Sequence, residues 1–213
     1  MDTIKSNYHE TLAATVIKNL EKRQMEGYYC PTVEDAEKLA FSFLKDGQNV
    51  SFGGSMTLEE TGMLTALRHD PSIHLIDRST AKTTEETKKM YHDALSSDVY
   101  FMSTNAITTD GELVNIDGTG NRVAALIYGP ETVIILAGMN KIAANVDEAL
   151  SRVHNVATAQ NCIRLGKKTP CAITGVCADC LSPDCICNQV VITRRSGIKG
   201  RIKVLLIGES FGY

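Results

Sequence analysis

The sequence predicts an α/β fold with a largely parallel sheet covered by helices. Three observations predict it. The strand candidates "VYFM", "TVIILAGM" and "RIKVLLIGE" are mainly apolar rather than alternating, as in strands buried on both faces. Helical patterns separate most of them, as crossovers between parallel strands require. Loops leave the strand ends after "NVSF", "VYFM" and "VIIL", where such sheets bind ligands.

Along the chain, residues 3–25 carry Ile4, Tyr8, Leu12, Val16 and Leu20 at steps of four, an amphipathic helix that "GYYCP" interrupts. "TVEDAEKLAFSFLKDG" is a second helix, opened by Thr32 with Asp35 three residues on and closed by Gly47. "NVSFGGS" is a short strand entering a glycine turn, and "TLEETGMLTALRHD" a helix with Glu59 and Glu60 in its first turn. "SIHLID", "TTEETKKMYHDALSS" and "DVYFMST" follow as strand, helix and strand. "TTDGEL" predicts a hairpin turn with Asp110-Gly111 at its tip. "RVAALIYG" and "TVIILAGM" read as two further buried strands separated by Gly129-Pro130. "NVDEALSRVHNVATAQNCIRLG" is a long helix, and "NQVVITR" and "RIKVLLIGE" are strands around the turn "SGIKG". No linker or repeat divides the chain, so a single α/β domain over residues 1–213, with a cysteine-rich segment at 169–188, is the expected organisation.

Hydrophobic residues at 43% and charged residues at 22% describe an ordinary globular chain. A formal charge of −3 provides no broad basic field, which argues against nucleic acid as the main partner but leaves small anions open. No basic-then-apolar leader is present, and the apolar runs fall well short of the roughly 20 residues that cross a bilayer. A cytoplasmic protein with reduced thiols is expected, with no membrane insertion.

Two loops carry candidate chemistry. In "FGGSMTLEETG", Gly53 and Gly54 allow close backbone approach, and Ser55 or Thr57 can cap the next helix and leave amides for an anion. A simple capped turn accounts for it equally well, and it lacks both a Walker lysine and a full dinucleotide spacing. In "NIDGTGNR", Asn115, Asp117, Gly118, Gly120, Asn121 and Arg122 crowd eight positions. Arg122 could clamp a carboxylate or phosphate in two-point geometry; alternatively an Asp117–Arg122 pair merely fixes the turn. The five histidines have no metal spacing.

Five of the seven cysteines follow Cys171-x5-Cys177-x2-Cys180-x4-Cys185-x1-Cys187. Four thiolates satisfy tetrahedral zinc or a four-iron cluster, with one to spare, whereas Cys30 and Cys162 read as isolated buried thiols.

"GGSMTLEETG", "STNAITTDGELVNIDGTGNRVAALIYGP" and "VIILAGMNKI" resemble the lactate-utilisation (LUD) domain family, and the cysteine segment with "RIKVLLIGESFGY" resembles its single-domain branch. The resemblance implies a fold related to the CoA-transferase and ribose-5-phosphate isomerase group. It implies a metabolic protein binding a small anionic metabolite, in the setting of lactate oxidation beside iron–sulfur or flavin electron-transfer partners. By position it implies Glu60 and Asp117 as candidate catalytic carboxylates, with Glu112 a looser match. Against its "TPC…TG.C.DC.SP..ICN" pattern, Cys171, Cys177, Cys180 and Cys187 fall on the recurring positions and Cys185 is the spare. An iron–sulfur cluster then fits an oxidoreductase component of hydroxy-acid metabolism. Zinc fits a non-redox isomerase- or transferase-like enzyme, and a non-catalytic regulatory subunit is the third reading.

Overall fold

The computed structural model describes residues 3–213. The main sheet contains β1 (Glu26–Cys30), β2 (Asn49–Phe52), β3 (His74–Ile76), β4 (Val99–Met102), β7 (Thr132–Gly138) and β10 (Ile202–Ile207), all parallel, in the order β1-β10-β7-β4-β2-β3. A smaller sheet, ordered β8-β5-β6-β9, joins β5 (Ala106–Thr108), β6 (Leu113–Asp117), β8 (Ile142–Ala143) and β9 (Gln189–Thr193).

The apolar strands are explained by burial on both sides. Tyr100, Met102, Val133, Ile135, Val204 and Leu206 share one core with α1 (Thr3–Lys22), α5 (Thr84–Leu95) and α6 (Asn121–Ile127). Their neighbours Val99, Phe101, Ile134, Leu136, Leu205 and Ile207 share the other with α2 (Val33–Ser42), α3 (Met56–Glu60) and α4 (Met63–His69). Successive side chains of one strand thus feed opposite cores. The small sheet packs Val114 and Ile116 on α7 (Val146–Arg152) and the residues that follow it.

The parallel α/β architecture agrees with the sequence; several elements differ. "GYYC" is not only a helix breaker but the edge strand β1, paired with β10. "TLEETGMLTALRHD" forms two short helices because Gly62 takes a left-handed conformation, φ +74°. "RVAALIYG" is the helix α6, not a strand. A six-residue apolar run has no period of its own, and here Gly120 (φ +89°) opens the helix, burying Val123 and Leu126 one turn apart. "NQVVITR" and "RIKVLLIGE" enter different sheets. The long helix is continuous from α7 to α8 (Ala159–Arg164) but widens into a π-turn at Val153–Thr158. A last short helix, α9 (Pro170–Thr174), opens the cysteine segment.

The chain runs outward from β2 to β3 and then returns to β4 on β2's other side. Their carboxyl ends form the crevice where such sheets hold ligands. The predicted hairpin joins β5 to β6, with Gly111 at φ +86° beside the α1 backbone; a Cβ there would lie 2.8 Å from Leu20 N and 2.9 Å from Asn19 C. Gly111→Ala should cost more than about 1 kcal/mol in urea unfolding; no loss would show that α1 gives way freely at this contact.

Candidate functional site

A cavity of about 560 Å³ opens at the carboxyl end of the main sheet. Gly54 and Ser55 after β2, Ser103 to Asn105 after β4, and Lys141 after β7 line one side. These are the three loops expected to carry the site. Ile116 to Thr119 of the small sheet and its turn, Thr158 on the π-turn, and Asn161 and Arg164 on α8 line another. Arg78, Tyr91, Lys167, Cys185, Ile186 and Tyr213 complete much of the rim. Five basic side chains, from Arg78, Arg122, Lys141, Arg164 and Lys167, line the cavity with one acidic side chain, Asp117.

Arg122 is the best-held of these. Its Nη1 donates to Ser103 O at 3.2 Å and to Asn115 Oδ1, while its Nη2 donates to Asn105 Oδ1 and Ile116 O, each at 3.1 Å. Its Nε lies 3.3 Å from Asp117 Oδ2. These contacts match its five N–H donors in number, so the free two-point clamp expected from the sequence is not what the fold builds. Arg122 organises the site, and the Asp117–Arg122 turn pair weighed as the alternative is present. Burial pushes its pKa down, with Asp117 opposing the shift.

Asp117 is likewise committed. Its Oδ1 accepts Thr119 N at 3.0 Å and Gly120 N at 2.8 Å, fixing the turn into α6. Asn115 sits behind Arg122, and its Nδ2 is the one buried side-chain polar atom lacking a partner among the described residues.

The other expected residues divide. Gly54, Ser55, Gly118 and Asn121 line the cavity. Gly53 is packed beneath the loop, where a Cβ would meet the Tyr100 hydroxyl and the Arg122 stem. Gly120 opens α6. Ser55 caps α3 by accepting Leu58 N, and Thr57 is buried, donating to Phe211 O at 3.3 Å. Glu60 is exposed outside the cavity lining and accepts Gly212 N at 2.6 Å. Glu112 lies in the β5–β6 hairpin, paired with Arg23 and Thr108.

The expected thiolate quartet is split. Cys177 Sγ lies 3.7 Å from His154 Nδ1, Cys171 contacts Thr169, Cys180 contacts Ser182, and Cys187 contacts Thr158. Cys162, read as isolated, instead touches Cys171, and Cys185, read as the spare, touches both Cys180 and Cys187. Burial raises the Cys187 thiol to about 12. Among the described residues no three His, Cys, Asp or Glu side chains are placed to hold a metal together. Cys185 thereby links Cys180 and Cys187, Cys162 meets Cys171, and Cys177 stands beside His154.

Residues not singled out from the sequence complete the site. Arg78 donates to Tyr91 Oη at 3.2 Å and lies over its ring. Lys141 is buried, with Nζ 3.1 Å from Ser103 Oγ and 3.2 Å from Thr104 O. Burial foremost, then the nearby Arg152 and Arg122, push its pKa down to about 7. A lysine just past an apolar strand, in "VIILAGMNKI", was the available signal.

The LUD domain model matches residues 13–207. The chain belongs to the LUD domain family. This LUD protein is similar in structure to a DUF162 family protein from Deinococcus radiodurans, with 12% identity, a TM-score of 0.53, and 93% of this chain and 98% of the other covered. Weaker likenesses include ribose 5-phosphate isomerase A from Methanocaldococcus jannaschii, at 18% identity, a TM-score of 0.33, and 53% and 54% of the two chains covered. Another is eIF2B delta from Chaetomium thermophilum, at 20% identity, a TM-score of 0.36, and 52% and 48% covered. No curated protein matches the LUD chain in sequence.

Arg122→Ala in this LUD protein should lower stability by about 3–5 kcal/mol, because the Asp117 carboxylate loses its paired cation and four further acceptors each lose a donor. Urea unfolding checks this, and an unchanged midpoint would contradict the network. For Lys141 the folded pKa of about 7 lies below the ordinary 10.5, so the unfolded chain binds more protons between those values. Stability relative to Lys141→Met should therefore rise with pH across that window and stay level below it. Chemical denaturation over a pH series measures the difference.

Proposed function

We propose that this LUD-family protein binds a small anionic metabolite, a carboxylate or phosphate, in the cavity at the carboxyl ends of β2, β4 and β7. One observation carries the reading: Arg78, Arg122, Arg164, Lys167 and the Lys141 amine line a cavity of about 560 Å³ with one acidic side chain, Asp117. Asp117 is already paired with Arg122, so no other acidic side chain of the lining faces Arg78, Arg164 or Lys167. A concave, partly enclosed surface strengthens their attraction for an anion by keeping bulk water at a distance.

Within this reading, Arg122 supplies fixed positive charge and holds the Ser103, Asn105 and Ile116 acceptors in place. Arg78 is the direct ligand. Its described hydrogen bond uses Nη1, leaving donors on a guanidinium held over the Tyr91 ring. Gly54 makes room for it, since a Cβ there would sit 2.2 Å from Arg78 Nη2. Lys141 adds an amine on the cavity floor. Glu60 and Asp117 have structural duties in this account, and no metal-dependent or redox step enters it.

Isothermal titration with inorganic phosphate and with L-lactate tests the proposal. Arg78→Ala should weaken whichever anion binds by roughly tenfold to a hundredfold, the scale of a charge-assisted hydrogen bond. Gly54→Ala should fold normally yet weaken binding similarly, because the displaced atom is the end of a flexible side chain. Unchanged affinity in both variants would remove Arg78 from the site.

A further inference from the structure

We infer that Lys141 is an amine nucleophile that forms an imine with the carbonyl group of a small carboxylate- or phosphate-bearing ligand in this cavity. The inference rests on the anion-binding reading and adds the reacting group and the substrate class: an oxo acid or a phosphorylated aldehyde or ketone.

Lys141 occupies the short turn Met139–Lys141 immediately after β7. Its residue surface is only 4% exposed, yet it lines the cavity. The described partners of Nζ are a hydroxyl and a backbone carbonyl, Ser103 Oγ and Thr104 O. Among the described residues its Nζ takes part in no ion pair with a carboxylate. The charged groups acting on it are Arg152 and Arg122, which oppose its charge, and Glu60, which favours it. Desolvation with two cations nearby disfavours the ammonium form. The amine form carries the lone pair that a carbonyl carbon requires.

The step balances without an oxidant or reductant. Nζ attacks the carbonyl carbon, and the new C–N bond gives a carbinolamine as the oxygen takes up a proton. The carbinolamine hydroxyl then takes up a second proton, supplied by solvent in the open cavity, the C–O bond breaks, water leaves, and a protonated imine remains. Ser103 Oγ is positioned to pass the proton from nitrogen to oxygen. The surrounding cations hold the ligand's anionic group while its carbonyl meets Nζ, which is the proximity contribution to the reaction.

Pyridoxal 5′-phosphate, which combines an aldehyde with a phosphate, is the probe. The intact protein is treated at near-neutral pH, reduced with borohydride and mapped by peptide mass. The exposed residues Lys5, Lys38 and Lys82 serve as internal references. Label at Lys141 should exceed label at each reference by at least about tenfold, since far more of a low-pKa lysine is unprotonated. Inorganic phosphate should suppress it, pyridoxal without phosphate should label Lys141 less, and Lys141→Met should remove the signal while circular dichroism confirms folding. Label spread evenly over the references, or undiminished total label in Lys141→Met, overturns the inference. If calorimetry shows phosphate binding but Lys141 stays unlabelled, the imine fails and the anion reading stands. If neither is seen, both fail. Lys141 label that phosphate leaves unchanged overturns the anionic substrate class.

Discussion

The buried guanidinium of Arg122 is the constraint on which the cavity depends. One side chain gathers a carbonyl from the loop after β4, an amide oxygen on Asn105, an amide oxygen and a carbonyl from β6, and the Asp117 carboxylate. It thereby fastens the small sheet to the switch point of the large one. A buried cation is tolerated only when paired and fully hydrogen-bonded, so the geometry around it has little freedom. The loops that line the cavity inherit that rigidity.

Charge then follows from architecture. The parallel strands deliver Ser55, Ser103 and Lys141 to one end of the sheet, while α8 and the turn after β3 bring Arg164 and Arg78 to its rim. The chain as a whole is acidic, at −3, so the positive character belongs to this cavity and not to a general field. That distinction suits a small ligand rather than a polyanion.

Much of this was legible in the residues. Doubly buried strands announced a parallel sheet, and the loops after "NVSF", "VYFM" and "VIIL" do line the cavity. The rest depends on tertiary placement. The run "RVAALIYG" has no intrinsic period, and the left-handed Gly120 decides for a helix. Arg122 looked free because sequence cannot reveal five acceptors drawn from separate segments. Cysteine spacing cannot show that Cys162 of α8 contacts Cys171, or that Cys177 turns towards His154. Lys141 shows no unusual chemistry until its burial is known.

The most direct measurement is a crystal structure of the protein grown or soaked with inorganic phosphate. The account predicts phosphate inside the cavity, within hydrogen-bond distance of Arg78 and Lys141, with Arg122 still bound to its five protein acceptors. Phosphate confined to the outer surface, or Arg122 swung out of its network to grip the ion, would contradict it.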